Sequence, residues 1–321
     1  MTDSSAPLSW ADATAIKQLD SHTYEANLQH DWSIGNVPHG GYTTSTILCV
    51  AKKHFTLTHL KQNQPHPLTT HVEFPRRTST GPAIFIVRDV KLGRQTSTLH
   101  ITLRQNDQDI VLAYINMSNL ATEQGVTFPT NWELNPPRVP ADVERLNDGA
   151  DEAWVEQKTM PFAEFRRASS RVRFFFPRTG QVLRSVCDQW VCFRDGSRFT
   201  TESLGFVADM FPQVVESYRE EDDPYHVAPE KNKKEMGARF WYPTVVLNLD
   251  VKKALPEEGV EWLFCRIRSK SINNGRLDIE VVIMDRDGGI VALSHHVTLV
   301  LGAARNLAAR RKEGKGEESK I

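Results

Sequence analysis

The pattern of apolar and polar positions in the first half of the chain predicts one helix followed by strands. Residues 43–54 carry apolar side chains at helical spacing and follow the glycine pair Gly40-Gly41, so we expect a buried helix entered through a turn. Four later segments have the alternation or composition of strands: residues 68–74, 83–90, 96–105 and 110–117.

The second half of the chain shows the same order of elements. Residues 202–216 predict a helix, and the strands expected after it are residues 243–251, 260–270, 276–284 and 290–301. An Asp-Gly hairpin turn separates the last two strands. When the halves are overlaid, Asn116 falls opposite His296.

This repeat predicts an α+β fold. A long apolar helix that precedes an antiparallel sheet suggests a sheet wrapped around the helix, which is the hotdog fold, and two copies make a double hotdog. We expect an N-terminal hotdog over residues 1–121 and a C-terminal hotdog over 158–305. The Pro-rich residues 122–157 predict a surface linker with a short acidic helix, and 306–321 a disordered tail.

Composition narrows the classes of function. The 321 residues are 40% hydrophobic, which suffices for a real core, and the net charge of −1 argues against a nucleic-acid binder. No apolar stretch has the length of a membrane helix, and the polar N-terminus lacks a signal-peptide pattern. We therefore expect an intracellular, cytoplasmic protein with no membrane partner, although the C-terminal Ser-Lys-Ile321 resembles a peroxisomal Ser-Lys-Leu ending.

The cysteines and the standard motifs give no sign of a metal or nucleotide. Cys187 and Cys192 lie on a predicted strand, where they would point to opposite faces, and no cysteine has a zinc-ligand spacing. GxGxxG, P-loop, HExxH and GxSxG motifs are also missing from the sequence. We expect no cofactor and no metal.

Three stretches carry a resemblance to a known family. They are Pro38-His-Gly-Gly-Tyr-Thr-Thr-Ser-Thr46; Trp190-Val-Cys-Phe-Arg-Asp-Gly196 with Leu204-Gly-Phe-Val-Ala-Asp-Met-Phe-Pro212; and residues 243–253 with the later Ser294-His-His296. In this order they resemble the thioesterase-like double hotdog proteins, similar to bacterial acyl-CoA thioesterase II. The resemblance covers residues 25–305.

The resemblance implies catalytic residues. In that family an Asp on the second helix, a strand Thr or Ser and a last-strand Gln hold the hydrolytic water. The matching positions here are Asp209, Thr244 and His296. The histidine departs from the pattern, because Gln can only orient a water whereas His can also take a proton.

The residues suggest a similar site without the family. A carboxylate inside an apolar helix, such as Asp209, should be partly desolvated and so a stronger base, and His296 could complete a His–Asp pair. The backbone N–H groups near Gly40 and Gly41 are candidate oxyanion donors. The candidate substrate-binding residues are His39, Gly40, Gly41, Tyr42 and Asn116.

Structural roles compete with these assignments. Asp209 could bond a strand backbone or an arginine, His39 could be a turn residue packed on Trp32, and the glycines could serve the turn alone.

The leading hypothesis for function is an acyl-thioester hydrolase that acts on acyl-CoA or a carrier-bound acyl group. The alternatives are a hotdog tailoring enzyme of lyase, dehydratase or isomerase type on a small molecule, and a non-catalytic acyl- or ligand-binding protein. The expected partner is a small-molecule acyl thioester, and homo-oligomerisation stays open. With a near-zero net charge, anionic CoA would need a local cluster such as Arg76-Arg77 or Arg166-Arg167.

Overall fold

The computed structural model describes residues 8–219 and 238–308, and one antiparallel sheet runs through both halves of the chain. The first half contains β1 Lys17–Gln18, β2 Thr23–Leu28, β3 Ser33–Ile34, β4 Val37–Pro38, β5 His66–Glu73, β6 Gly81–Lys91, β7 Ser97–Gln105 and β8 Gln108–Ser118. The second half contains β9 Trp154–Glu156, β10 Val172–Pro177, β11 Val186–Phe193, β12 Phe240–Trp241, β13 Thr244–Val251, β14 Leu263–Arg268, β15 Ile272–Asn273, β16 Arg276–Met284, β17 Ile290–Leu299 and β18 Leu301–Gly302.

Helices are few and mostly short. They are α1 Trp10–Ala13, α2 Gly40–Leu57, α3 Val143–Asn147, α4 Leu204–Ala208, α5 Pro212–Glu216 and α6 Ala304–Leu307. Single 3-10 turns lie at His30–Trp32, Leu60–Gln62, Ser169–Arg171 and Thr201–Ser203.

The order of strands repeats between the halves. The first half is ordered β2-β6-β7-β8-β5 and the second β11-β14-β16-β17-β13, so each half places the strand after its helix at the centre of the whole sheet. Strands β5 and β13 pair directly, with Leu247 opposite Val72, and this pairing joins the halves. The predicted repeat and the α+β double hotdog fold are confirmed.

The sheet wraps α2, as the apolar pattern predicted. The side chains of Ile47, Leu48, Val50 and Ala51 are all fully buried. A helix that is buried around most of its circumference must also pair its polar side chains. Here Thr46 donates to the Tyr42 carbonyl oxygen at 2.9 Å and Thr44 donates to the Gly40 carbonyl oxygen at 3.0 Å, whereas the buried Thr43 hydroxyl has no partner among the described residues.

The second helix differs from the prediction. The continuous helix expected over residues 202–216 is instead α4 followed by α5, with a break between Ala208 and Pro212. Proline lacks an N–H and its ring clashes with the preceding helical turn, so Pro212 can begin α5 but cannot continue α4. As a consequence Asp209 is the C-cap residue of α4 rather than a residue inside a helix.

Two glycines allow α2 and α4 to approach closely. A Cβ on Gly41 would lie 2.6 Å from the carbonyl oxygen of Gly205, and a Cβ on Gly205 would lie 2.8 Å from Cγ2 of Thr44. Across the crossing, the Phe206 N–H donates to Oγ of Ser45 at 2.9 Å. The glycines therefore bring the start of α4 and its following residues against the first turn of α2.

The predicted linker is more ordered than a surface connection. Its Leu146 and Trp154 are buried in a second core on the outer face of the C-terminal sheet, against Trp190 and Phe264. Strand β9 adds to this sheet beside β10, and α3 is the predicted acidic helix, capped by Asp142. The apolar residues between the prolines explain the difference, since they cover a sheet face that would otherwise meet water. The positions of the domain boundaries remain a prediction.

Both faces of β11 are buried, one by the main core and the other by the second core. Cys187 packs in the main core and Cys192 in the second core, so the two thiols point to opposite faces as predicted.

The beginning of the predicted disordered tail is ordered. Asn306 is 1% exposed, accepts the Asn36 N–H at 2.9 Å and donates to the Ile34 carbonyl oxygen at 2.8 Å. An amide with a donor and an acceptor can bridge the two backbone groups of this turn, which fixes the segment. The C-terminal Ser-Lys-Ile321 lies outside the described residues.

Within the described residues, none of the helices has both the length and the apolar character needed to cross a membrane.

Candidate functional site

The Asp209 carboxylate lies against the first turn of α2. Its Oδ2 accepts the Gly41 N–H at 2.7 Å, and its Oδ1 accepts the Thr244 hydroxyl at 2.9 Å. Nδ1 of His296 is 3.5 Å from Oδ1, and Nδ1 of His39 is 3.6 Å from Oδ2. The fold therefore brings together the three predicted catalytic residues and the start of the predicted substrate-binding motif.

Local backbone features aim these groups at one point. Asp209 caps α4 because Pro212 prevents the helix from continuing, and Gly40 leaves room for the carboxylate, since a Cβ there would lie 2.8 Å from Oδ2. Thr244 begins β13 at a shift in register between Thr244 and Val246. Such irregularities commonly redirect a side chain next to a functional site.

Asp209 is held as a carboxylate. Burial alone would raise its pKa, but the attraction of His39 and His296 in their protonated forms and the hydrogen bond from Thr244 outweigh burial and lower the pKa below its usual value. The N–H of Gly41 belongs to the positive end of α2, which favours the anion further. The expectation that desolvation makes Asp209 a stronger base is wrong in direction, because the surrounding donors exceed the effect of burial.

His39 is the N-cap of α2 and a neutral imidazole. Its Nδ1 accepts the N–H of Gly41 at 3.1 Å and that of Tyr42 at 3.4 Å, so the ring proton of the neutral form is on Nε2. Burial lowers the pKa of His39 despite the nearby carboxylate of Asp209. Removal of the Nδ1 lone pair by protonation would leave the Tyr42 N–H without this acceptor, and the Gly41 N–H would keep only Oδ2 of Asp209.

This arrangement predicts an acid-dependent loss of stability. A folded-state pKa below the unfolded value of about 6.5 means that the unfolded chain binds protons first as pH falls. Neutral His39 therefore makes its full contribution to the free energy of unfolding above about pH 6.5. That contribution declines as the pH falls from about 6.5 towards the lower pKa of the folded state. Asparagine can still cap the helix but does not titrate, so His39→Asn should reduce the slope of unfolding free energy against pH by up to about one proton between pH 5 and 7.

Urea denaturation at successive pH values measures these slopes. The two proteins should have the same slope above pH 7.5. Equal slopes between pH 5 and 7 would contradict the protonation assigned to His39.

His296 has its proton assigned by its neighbours. The Ser294 hydroxyl donates its single hydrogen to the Asn248 carbonyl oxygen at 2.6 Å, so Oγ must accept from Nε2 of His296, which is 2.8 Å away. With Nε2–H committed to Ser294, Nδ1 of the neutral ring is a lone pair that faces Asp209. Nδ1 has no hydrogen-bond partner among the described residues.

A cavity of about 190 Å³ opens in front of the carboxylate. Asp209, Thr244, His39 and Gly40 line its polar side, and the remaining wall is largely aromatic. The aromatic side chains include Phe74, Phe165, Phe211 and Trp241. His296 is fully buried, lies behind Asp209 and does not itself line the cavity, so it would act on a bound molecule through the carboxylate.

The predicted oxyanion donors do not have equal roles. The Gly41 N–H is bonded to Asp209, whereas the Gly40 N–H has no hydrogen-bond partner in the described part of the chain. The Tyr42 side chain points away from the cavity, with its ring stacked on Trp32 and its hydroxyl donated to the Ala13 carbonyl oxygen at 2.6 Å. Its contribution to the site is its backbone N–H.

Asn116 is not at this site. It lies on the outer face of the sheet, where its amide donates to Thr69 at 2.8 Å and accepts from Thr98 at 2.7 Å. His296 points to the inner face, so the overlay that matched the two residues was out of register by an odd number of residues. Because strand side chains alternate, a shift of one residue reverses the face.

The two proposed arginine clusters also differ. Arg166 is 2% exposed and forms an ion pair with Glu216 at 2.6 Å, so it is not available to a ligand. Arg76 and Arg77 line the cavity, and Arg76 is exposed to solvent.

Ser294 is the site residue that sequence reasoning missed. The sequence could have indicated it, because residues two apart on a strand share a face and Ser294 precedes His296 by two.

Comparisons with known proteins identify the family. The acyl-CoA thioesterase N-terminal domain matches residues 28–118, and the acyl-CoA thioesterase C-terminal domain matches residues 136–300. A curated relative, the thioesterase-like protein TwmA of Talaromyces wortmannii, is 40% identical over 97% of this chain and 96% of its own.

Solved structures agree on the fold. The acyl-CoA thioesterase II TesB2 of Mycobacterium marinum has a TM-score of 0.62 at 15% identity and covers 91% of this chain and 97% of its own. A protein of unknown function with a hot dog fold from Alicyclobacillus acidocaldarius has a TM-score of 0.69 at 16% identity, with 92% and 99% covered. Identities this low support the fold alone, whereas the two domain matches and the curated relative carry the assignment: the chain belongs to the acyl-CoA thioesterase family of double hotdog hydrolases.

Proposed function

We propose that this protein hydrolyses an acyl thioester with a water activated by Asp209. The observation that carries the proposal is a buried carboxylate with a lowered pKa on the wall of a cavity rich in aromatic side chains, beside the Gly40 N–H, which has no hydrogen-bond partner among the described residues. Hydrolysis needs a proton acceptor for water and donors for the carbonyl oxygen. Asp209 and Thr244 would hold the water, and the Gly40 N–H with Nε2–H of His39 would bind the oxygen.

The proposed reaction forms one bond and breaks one. The water oxygen attacks the carbonyl carbon while its proton moves to Asp209, and the negative charge that develops on the carbonyl oxygen is met by the two donors. Collapse of the tetrahedral intermediate breaks the C–S bond, and the proton returns from Asp209 to the departing thiolate. Until then the proton on Oδ1 can be shared with Nδ1 of His296, 3.5 Å away.

The cavity size and charge indicate which part of the substrate it takes. A volume of about 190 Å³ is below the range of roughly 300–1,000 Å³ typical for whole ligands, which suits the thioester and its adjoining carbons. The exposed Arg76 beside the cavity offers a cation to phosphates outside it. Acyl-CoA and a phosphopantetheine-borne acyl group share this chemistry.

A panel of acyl-CoA thioesters tests the proposal. The full chain is incubated with acyl groups of increasing length, and release of free thiol is followed by a colorimetric reagent while mass spectrometry follows the acyl product. Thiol release with one equivalent of carboxylic acid is expected. If the acyl group changed while the thioester stayed intact, the protein would be a tailoring enzyme; a ligand recovered unchanged throughout would indicate a carrier.

Replacement of His296 tests its role behind the carboxylate. Glutamine can donate an amide hydrogen towards Asp209 but cannot accept a proton, so we expect His296→Gln to lower kcat by about tenfold with little change in KM. Steady-state kinetics of the two proteins measure kcat and KM separately. An unchanged kcat would limit His296 to packing.

A further inference from the structure

A cluster of three histidines and one aspartate lies at the C-terminal end of α2, away from the cavity. The three Nε2 atoms converge on the Asp89 carboxylate, at 3.1 Å for His22, 3.0 Å for His54 and 2.8 Å for His59. The four ligand-capable atoms all lie within 4.8 Å of one another.

We propose that His22, His54, His59 and Asp89 form a binding site for a divalent transition metal, with zinc as the ion that fits best. Three imidazole nitrogens and one carboxylate oxygen are a four-ligand set typical of zinc. Zinc–ligand bonds of about 2.0–2.2 Å place neighbouring ligand atoms roughly 3.3 Å apart. The three nitrogen–carboxylate distances are already near this value, and the atoms that are up to 4.8 Å apart would have to approach by at most about 1.5 Å.

The outer partners of the rings support ligation through Nε2. Nδ1 of His54 is 3.0 Å from the Tyr24 hydroxyl, and Nδ1 of His22 is 2.8 Å from Oγ of Ser21. Metal-bound histidines usually donate their other ring N–H to such a group, which fixes the ring orientation. Tyr24 can accept from His54 because its own hydrogen has a further acceptor in the Ser21 carbonyl oxygen, at 3.5 Å.

The placement of Asp89 is also unusual for a packing residue. It occupies the inward position that continues Ala83, Phe85 and Val87 along β6, and the strand register shifts directly after it. A carboxylate in an otherwise apolar row costs free energy unless it is paired, and a bulge is a device for aiming such a side chain.

The site is closed on one side and open on the other. The side chain of His54 is fully buried, whereas those of His59, Asp89 and His22 are 17%, 20% and 42% exposed. Solvent therefore reaches the cluster, which gives an ion an entry path. The ligands come from the bend before β2, the last turn of α2, the segment after it and β6, so an ion would fasten the helix end to the sheet.

This proposal is independent of thioester hydrolysis. The 18 residues of α2 span about 27 Å, with Asp209 at one end and the cluster near the other. The sequence predicted no metal because its ligands are brought together by folding and share no compact motif.

Zinc binding to the full chain tests the inference. Protein stripped with EDTA and desalted is titrated with ZnCl₂ by isothermal calorimetry, and native mass spectrometry counts bound ions. We expect one zinc per chain, a higher thermal unfolding midpoint with zinc, and an affinity at least about tenfold weaker in His59→Gln and in His22→Gln. His30→Gln removes an exposed imidazole outside the cluster and should bind like the wild type.

Two results would overturn the proposal. One is wild-type protein that takes up no zinc; the other is zinc affinity in both cluster variants equal to that of His30→Gln. His22 is the most exposed ligand, so its replacement keeps the test valid if His59→Gln does not fold. Co²⁺ gives a second readout, since a four-coordinate N/O site produces visible absorption bands that His22→Gln should lose.

Discussion

Asp209→Asn is expected to lower kcat for thioester hydrolysis by about 10³-fold, within the range of roughly 10²–10⁴ for loss of a general base. Asparagine has the shape of aspartate and keeps an oxygen for the Gly41 N–H, which the structure places 2.7 Å from Oδ2. It cannot accept a proton from water. The loss should therefore appear in kcat, while circular dichroism and KM stay close to the wild type.

Asp285→Asn is the matched control for this prediction. Asp285 is also a mostly buried carboxylate with a lowered pKa, in which burial is outweighed by Lys253 and by backbone donors of its hairpin, but it does not line the cavity. Its replacement should leave kcat unchanged. If Asp209→Asn retained more than a tenth of the wild-type turnover, Asp209 would not be the base.

Gly41→Ala is expected to destabilise the protein by about 1–3 kcal/mol and to lower turnover by about 10²-fold. Its Cβ would lie 2.6 Å from the Gly205 carbonyl oxygen and 2.7 Å from Cβ of Asp209, and a backbone atom cannot move aside as a flexible side chain can. The helices would have to separate, which moves the carboxylate. Urea denaturation and steady-state kinetics measure the two effects.

The sign of the change in unfolding free energy tests whether α2 and α4 cross closely at Gly41. In an unobstructed helix, alanine is more favourable than glycine by roughly 1 kcal/mol, so a stabilised Gly41→Ala would show that the close crossing does not exist. Gly125→Ala is the control, because a Cβ at Gly125 meets nothing within 4 Å. It should leave both stability and turnover unchanged.

Much of the fold could be predicted because its signals are local. Alternation of apolar residues marked the long strands of both halves, and the apolar run after Gly41 marked α2. The predicted second helix is too long because the helical apolar pattern continues past Pro212, whereas the proline ends one helix and begins another. The linker was misjudged because polar composition hid the few apolar residues, Leu146 and Trp154 among them, that cover the sheet.

The sequence predicted which catalytic candidates meet at the site, but not their hydrogen bonds or the pKa of the carboxylate. The resemblance suggested Asp209, Thr244 and His296, and folding brings these three together. The direction of the pKa change of Asp209 depends on hydrogen bonds from distant parts of the chain, which no sequence pattern contains. Asn116 failed because the face of a strand residue depends on register to a single residue.

The glycine crossing has a consequence for the number of sites. With Gly41 and Gly205 as equivalent points of the two helices, Asp209, four residues after Gly205, corresponds to Ser45, four residues after Gly41. The contacts are similar but displaced by one residue: Asp209 accepts the N–H of Gly41 on α2, whereas Ser45 accepts the N–H of Phe206, the residue after Gly205, on α4. A hydroxyl buried where its counterpart is a carboxylate cannot act as the base at neutral pH. Under the proposed mechanism, only the Asp209 end of the crossing would be reactive, so we expect one catalytic centre in the described part of the chain.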